Sequence, residues 1–413
     1  MILNSGGIFK LPNFRKVYLA GSTSELGSFV TETVLMLFVF KFTGQNKAYL
    51  GILRTVFLVS LTLGGILGGP IGNHFNRKKI LIFCELARIP LILLLIFYQN
   101  IYIVIACDAG IAFFTGIFRP SRQALINEIV PQEKIKKANS LFGSTNAILH
   151  LLGPLLGATL FTFFNGISEV LFLDLMTYLL GIILISKVSY NIQSRSKNTD
   201  YRLFQGIRDG FTYIKDRPEL LAINLNTFCA GLAIGVLIPL LVPFILEVLG
   251  KTENDYGILM CFFGVGGIIG SWHNEKVSSR LPYGKVPYLS IILETIAFYL
   301  FINCRIFWIC NLIFLVWGYL VFIRITAQMN LISETVETHY LTRVHSLLEM
   351  SFIVPNISGG LIIALIGNEY NTFLLLKLSS FIFFLLILVR LPFKHMKELW
   401  NNKPKKITRN VQV

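Results

Sequence analysis

The sequence predicts an all-α membrane protein of twelve transmembrane helices arranged as two six-helix pseudo-repeats. Composition, the recurrence of apolar runs about twenty residues long, and a similarity between the two halves carry this reading. Hydrophobic residues make up 54% of the chain, Phe alone supplies 35 of 413 residues, and charged residues are 14%. A soluble domain carries about 25% charged residues to cover its surface. The mean hydropathy of +0.66 therefore makes lipid the main solvent. An apolar run of ~20 residues crosses the ~30 Å hydrocarbon core as a helix. A β-barrel would alternate over segments of about ten residues instead.

The spans run roughly over 17–40, 49–72, 80–98, 101–124, 138–164, 168–188, 219–249, 255–273, 286–304, 306–330, 345–367 and 371–393. Lys10, Arg15 and Lys16 precede a first run too long for a signal peptide, so it reads as a retained span. The one long hydrophilic interruption divides the chain into a six-helix bundle over 1–190, a linker over 191–217, a second bundle over 218–393 and a basic tail over 394–413. Within the linker, "FQGIRDGFTYIKDRPEL" has the pattern of an amphipathic surface helix.

The net charge of +15 is distributed unevenly. With the N-terminus inside, Arg77, Lys78, Lys79, Lys134, Lys136, Lys137, the linker cations, Lys276, Arg280, Lys285, Arg343 and the tail cations share one side. The other side has Lys41, Lys47, Lys251 and Arg305. Positive residues mark cytoplasmic loops, so both termini are expected in the cytoplasm of a multi-pass cell-membrane protein. The charge is thereby explained without nucleic acid. The six cysteines are scattered through apolar runs with no CxxC and read as small buried hydrophobes. No P-loop, hydrolase triad or metal-ligand spacing is present, so neither enzyme, metal nor cofactor is expected.

The halves correspond in two places. Gly69-x-x-x-Asn73 matches Gly270-x-x-x-Asn274 at an offset of 201, and "NEIVPQEKIKKANSL" (Asn127–Leu141) lies over "SETVETHYLTRVHSL" (Ser333–Leu347) at 206. Two similar halves around a central site are a recurrent membrane architecture.

Ionisable residues inside spans are costly and face a cavity or a partner. Glu25 and Glu32 share one face of the first span, ~10 Å apart along its axis, and could take protons or a cationic solute. Asp108 and Asp174 are further membrane carboxylates, read as near the outer ends of their spans. His150 has a side chain suited to proton exchange, with packing as its alternative. Arg54 sits near the outer end of span 2. Arg88 can snorkel inward, Arg324 reads as an interfacial anchor, and Glu294 as a structural hydrogen-bonding group.

Between spans 2 and 3 the chain carries Gly69, Asn73, His74, Asn76, Arg77 and Lys78. This resembles the G-x-x-x-D-R/K-x-G-R-R/K loop of the major facilitator superfamily. The glycine and the last two cations match, while Asn73 replaces the acid, His74 the first cation and Asn76 the second glycine. "FRPSRQALINEIVPQEKIKKANSL" (Phe118–Leu141) is similar to the span 4–5 region of macrolide-efflux and enterobactin-exporter type members. Gly153, Pro154 and Gly157 resemble the span 5 antiporter signature GPxxGG, with Ala158 in place of its last glycine. The resemblance covers the twelve spans and implies the major facilitator fold and a monomeric transporter working by alternating access.

What the resemblance implies further is a proton-coupled exporter of an amphiphilic small molecule of drug or siderophore class. An importer or lipid flippase on the same fold, or a non-transporting membrane sensor, are the alternatives. It assigns Gly69, Asn73, Arg77 and Lys78 to a gating loop, in which asparagine cannot form the family's ion pair. Arg119 and Arg122 would form an inner-gate pair with Glu128.

Overall fold

The computed structural model describes residues 7–189, 203–278, 281 and 284–401. Fourteen α-helices occupy the described residues: α1 (Pro12–Phe42), α2 (Lys47–His74), α3 (Arg77–Phe97), α4 (Ile101–Ile129), α5 (Gln132–Phe164), α6 (Ser168–Ser186), α7 (Leu203–Lys215), α8 (Pro218–Pro243), α9 (Glu253–Ser278), α10 (Lys285–Asn303), α11 (Phe307–Thr335), α12 (Thr338–Ile366), α13 (Thr372–Arg390) and α14 (Lys394–Asn401). Eleven of them, all but α1, α7 and α14, are long and apolar enough to cross a membrane. The remaining long helix, α1, has 31 residues and so extends about 46 Å, with Glu25 and Glu32 on it.

Polar punctuation sets the boundaries. Asn46, Asn76, Asn100 and Asn371 precede α2, α3, α4 and α13, and each side chain accepts a hydrogen bond from a backbone N–H of the first turn. Those N–H groups have no partner inside the helix, so a capping side chain fixes where the helix starts. Helix α5 runs unbroken through Pro154. Helix α8 passes into a π-helical turn, Phe244–Val248, directly after Pro243. Its Leu249 N–H donates to Phe244 O, five residues back.

The chain forms two compact units: residues 1–197 with 251–261, and 198–250 with 262–413. In the first, α1 packs on α5 and α6, α2 on α4, and α3 on α4 and α6. In the second, α8 packs on α12 and α13, α10 on α11 and α13, and α9 on α11. The same pairings therefore recur. Pro12 and Pro218, Lys47 and Glu253, Ile101 and Phe307, and Gln132 and Thr338 begin corresponding helices, each 206 residues apart.

Two crossings depend on glycine. A Cβ on Gly64 or Gly116 would strike the backbone of the facing helix in the α2–α4 pair, and one on Gly266 or Gly318 would do so in α9–α11. Small residues let helices approach this closely where apolar burial alone supplies little drive in lipid. In these crossings Gly68, facing Ile117 on α4, stands where Gly270 faces Tyr319 on α11. The packing register is thus 202, one residue from the Gly69–Gly270 alignment expected from sequence. Helix α7 stands where the linker was expected to form a surface helix, packed on α8 and α12 with Tyr213 and Ile214 buried.

Candidate functional site

Helix α1 is central to the first unit and carries both expected carboxylates. They do not form one open acidic stripe, because each has acquired its own cation. Glu32 receives a hydrogen bond from Arg54 Nη1 at 2.7 Å. Both line a small pocket together with Asp108 of α4 and the apolar side chains Leu35, Met36, Leu53 and Phe57. The Asn46 and Asn100 caps start α2 and α4 in register, which places Arg54 and Asp108 two turns in, at the level of Glu32. The Arg54 guanidinium also lies 5.8 Å from the Phe57 ring centre. Its Nε is buried without a hydrogen-bond partner. The pocket thus holds one guanidinium between two carboxylates on apolar walls. Asp108 is buried within the protein, with 5% of its surface exposed.

Glu25 is also buried rather than bathed in water, with 6% of its surface exposed. Arg122 Nη2 donates to it at 3.0 Å, and Arg119 Nε lies 3.8 Å away. This corrects the expected pairing of Arg119 and Arg122 with Glu128. Glu128 instead pairs with Arg77 at 3.0 Å. The reason is geometric. Arg119 and Arg122 are two to three turns before the end of α4 and face α1, whereas Glu128 is in the last turn, level with the start of α3. Gly21 makes room, since a Cβ there would meet the Arg122 side chain. The Arg122 guanidinium also covers the Phe142 ring at 4.9 Å.

Asp174, on α6, is buried too and accepts hydrogen bonds from Thr31 at 2.6 Å, Thr177 at 3.0 Å and Tyr178 at 3.0 Å. Gly27 lies against it. His150 stacks obliquely on Phe29 with ring centres 4.0 Å apart.

The loop between α2 and α3 works inside its own unit. Asn76, at the family's glycine position, caps α3 by accepting from the Lys78 and Lys79 N–H groups. Lys78 Nζ donates to the Ser186 and Val188 carbonyls at 2.7 and 2.8 Å, satisfying the C-terminal end of α6. With Arg77 on Glu128, the loop binds α3, α4 and α6 together. Gly69 and Asn73 lie on the last turns of α2, while 190–202 of the linker and 402–413 of the tail lie outside the described residues. Gly153 and Gly157 pack α5 closely against Phe29 and Thr33 of α1, with Pro154 between them.

Sequence reasoning passed over Glu85. It is fully buried on α3, and its Oε2 receives Arg88 Nη1 at 3.2 Å. Arg88 is likewise buried, so it does not snorkel. Opposite charges three residues apart inside an apolar run were the readable signal. Arg324 is also no interfacial anchor. It is buried in the second unit, where Nε and Nη2 grip both oxygens of Glu294 at 2.5 and 3.1 Å. Among the described residues no group of His, Cys, Asp and Glu could hold a metal, and all six cysteines are free.

The two-unit helical plan finds its match in known proteins. Residues 17–360 match the Major Facilitator Superfamily. The chain belongs to this family. It is accordingly a multi-pass membrane transporter and not an enzyme. An uncharacterized MFS-type transporter of Bacillus subtilis, YkuC, is 23% identical over 67% of this chain, and the match spans 63% of that relative. The staphyloferrin A transporter of Staphylococcus aureus is 23% identical over 69% of this chain and 73% of its own. A bacterial homologue of the human lysosomal transporter Spinster, crystallised inward-facing and unoccupied, shares the fold. Its TM-score is 0.73 at 16% identity, over 94% of this chain and 98% of that one.

Proposed function

We propose that this transporter is a secondary-active exporter of an amphiphilic small molecule, of drug or siderophore class, driven by protons through alternating access. The observation that carries the reading is the pocket in which Arg54, hydrogen-bonded to Glu32, shares the lining with Asp108, Leu35, Met36, Leu53 and Phe57. With all three ionised, the pocket holds one negative charge in excess. A proton neutralises that excess, and so does a monovalent cationic solute, so the two compete for one site. Such competition is the physical requirement of antiport. In the conformation described the pocket has room for about one water molecule, so a proton fits it as it stands and a solute's cationic and apolar parts would enter once the helices around it separate. The name of the staphylococcal relative adds a siderophore to the classes worth testing.

Glu32 is proposed as the coupling acid with Asp108 beside it. Glu25, Arg119 and Arg122 are proposed to hold the inner part of α1 against α4, and Arg77, Lys78 and Glu128 to hold the loop as a rigid unit. Asp174, His150, Gly153, Pro154 and Gly157 then act by positioning α1 against α5 and α6. Placement in the cell membrane as a monomer, with both ends cytoplasmic, completes the proposal. The test is a stability screen of purified protein against amphiphilic drugs and siderophores, with hits assayed in inside-out vesicles. Export predicts accumulation inside such vesicles when their lumen is acidic. Accumulation only in right-side-out vesicles would reverse the direction.

A further inference from the structure

The pocket is one of two places in the first unit where a single guanidinium stands among carboxylates. The other is deeper, between α1, α3 and α6. Glu85 and Arg88 are 0% and 1% exposed. Arg88 Nη1 contacts Glu85 Oε2 at 3.2 Å and Ser24 Oγ of α1 at 3.3 Å. The guanidinium lies 5.1 Å from the Phe118 ring of α4 and 5.5 Å from the Tyr178 ring of α6. Asp174 interacts electrostatically with both Arg88 and Glu85. The bonding is incomplete on both sides: Glu85 Oε1, Arg88 Nε and Arg88 Nη2 are buried without a hydrogen-bond partner. Oε1 faces the bare Gly181 backbone of α6.

Charge balance gives this gap a meaning. Between the helix ends, α1–α6 carry five carboxylates, Glu25, Glu32, Glu85, Asp108 and Asp174, against four guanidiniums, Arg54, Arg88, Arg119 and Arg122. Arg119 and Glu32 keep 40% and 31% of their side chains accessible while the other seven are largely buried. Fully ionised, the nine leave one uncompensated negative charge, which burial opposes. One proton removes it. Glu25 has two guanidiniums, Glu32 has one at 2.7 Å, and Asp174 has three hydroxyl donors. Asp108 opens on the pocket beside Arg54. Glu85, whose carboxylate also interacts with Ser24, keeps one oxygen, Oε1, fully buried without a hydrogen-bond partner.

We propose that Glu85 is a second proton-binding residue, outside the pocket, which takes the interior's surplus proton from solvent on Oε1 and leaves Arg88 to Asp174. The groups facing it are Ser24 and Glu25 of α1, Phe118 and Arg122 of α4, Asp174 and Tyr178 of α6, and Cys84 and Arg88 of its own helix. A charged His150 would balance the same count, so the experiment separates the two. It also needs neither substrate nor gradient, so its failure is distinct from failure of the export proposal.

The measurement is infrared spectroscopy of purified protein in lipid nanodiscs, with glutamate carbon-13 labelled, titrated from neutral to alkaline pH. The expected result is a protonated glutamic acid carbonyl band at neutral pH, lost in Glu85→Gln and kept in His150→Gln and in Glu32→Asp, which conserves the charge count while taking residue 32 out of the labelled set. Should Glu85→Gln fail to fold, Glu85→Asp should move this band out of the glutamate-labelled set and Ser24→Ala should shift its frequency. Absence of any such band in the parent protein, its persistence in Glu85→Gln, or its indifference to both Glu85→Asp and Ser24→Ala would overturn the proposal.

Discussion

At the scale of residues, the interior of the first unit is organised by which cation each carboxylate can reach. Glu25 and Glu32 are seven positions apart on α1, yet one is held by α4 and the other by α2. The spacing that put them on one face was legible in the sequence. The partners were not, because they depend on the level at which each neighbouring helix crosses α1. The same gap explains why Arg122 was matched with Glu128, six positions along its own helix, when its real partner lies 97 residues earlier. Glycine decides some of these contacts. A Cβ on Gly27 would fall on the Asp174 carboxylate, which Thr31, Thr177 and Tyr178 already hold. Gly27→Ala is therefore expected to destabilise the protein by at least about 1–3 kcal/mol, the usual effect of overpacking. Thermal unfolding in detergent checks this, and an unchanged midpoint would contradict the packing described. The milder Thr31→Val, which removes one hydrogen bond from Asp174, should lower the midpoint less.

At the scale of elements, the spans were legible because their length and apolar content answer to the bilayer alone. The π-helical turn after Pro243 was not, since proline within a span announces a disturbance without its form. Short helix α14 illustrates what amphipathic pattern can achieve. It buries Met396 and Leu399 against α8 and α10, sets Trp400 on Tyr288 with ring centres 5.0 Å apart, and brings His395 Nε2 to 3.4 Å from Arg390 Nη2. A guanidinium can only donate, so His395 must accept there as the neutral ring. Burial, and then the charge of Arg390, hold the His395 pKa below its ordinary value. The docked helix consequently binds a proton less readily than the undocked one. Its docking is at full strength above the ordinary histidine value of about 6.5 and weakens as the pH falls from there towards the lowered value. A nitroxide on Lys397→Cys should become more mobile on that descent, and His395→Gln should remove the response. Equal mobility at both ends of the range would refute the linkage.

At the scale of the whole molecule, the recurrence of helix pairings and the 206-residue offset of four helix starts describe one six-helix plan used twice. Two local alignments carried this in the sequence, though the 201-residue offset at Gly69 missed the packing register by one. The cation distribution makes a separate claim, that both ends and the linker are cytoplasmic. A protease site introduced at Lys197 should be cut in inside-out vesicles and resist in sealed right-side-out ones; cutting from outside would reverse the topology. The central claim, proton-driven export through the Glu32–Arg54–Asp108 pocket, is tested most directly by Glu32→Gln in proteoliposomes given a pH step, with a substrate from the stability screen. The variant keeps a hydrogen-bonding side chain opposite Arg54 and loses the exchangeable proton. Concentrative movement in response to the step should disappear while binding, or slow exchange without a gradient, remains. A Glu32→Gln protein that still concentrates substrate when the pH step is applied would contradict the account.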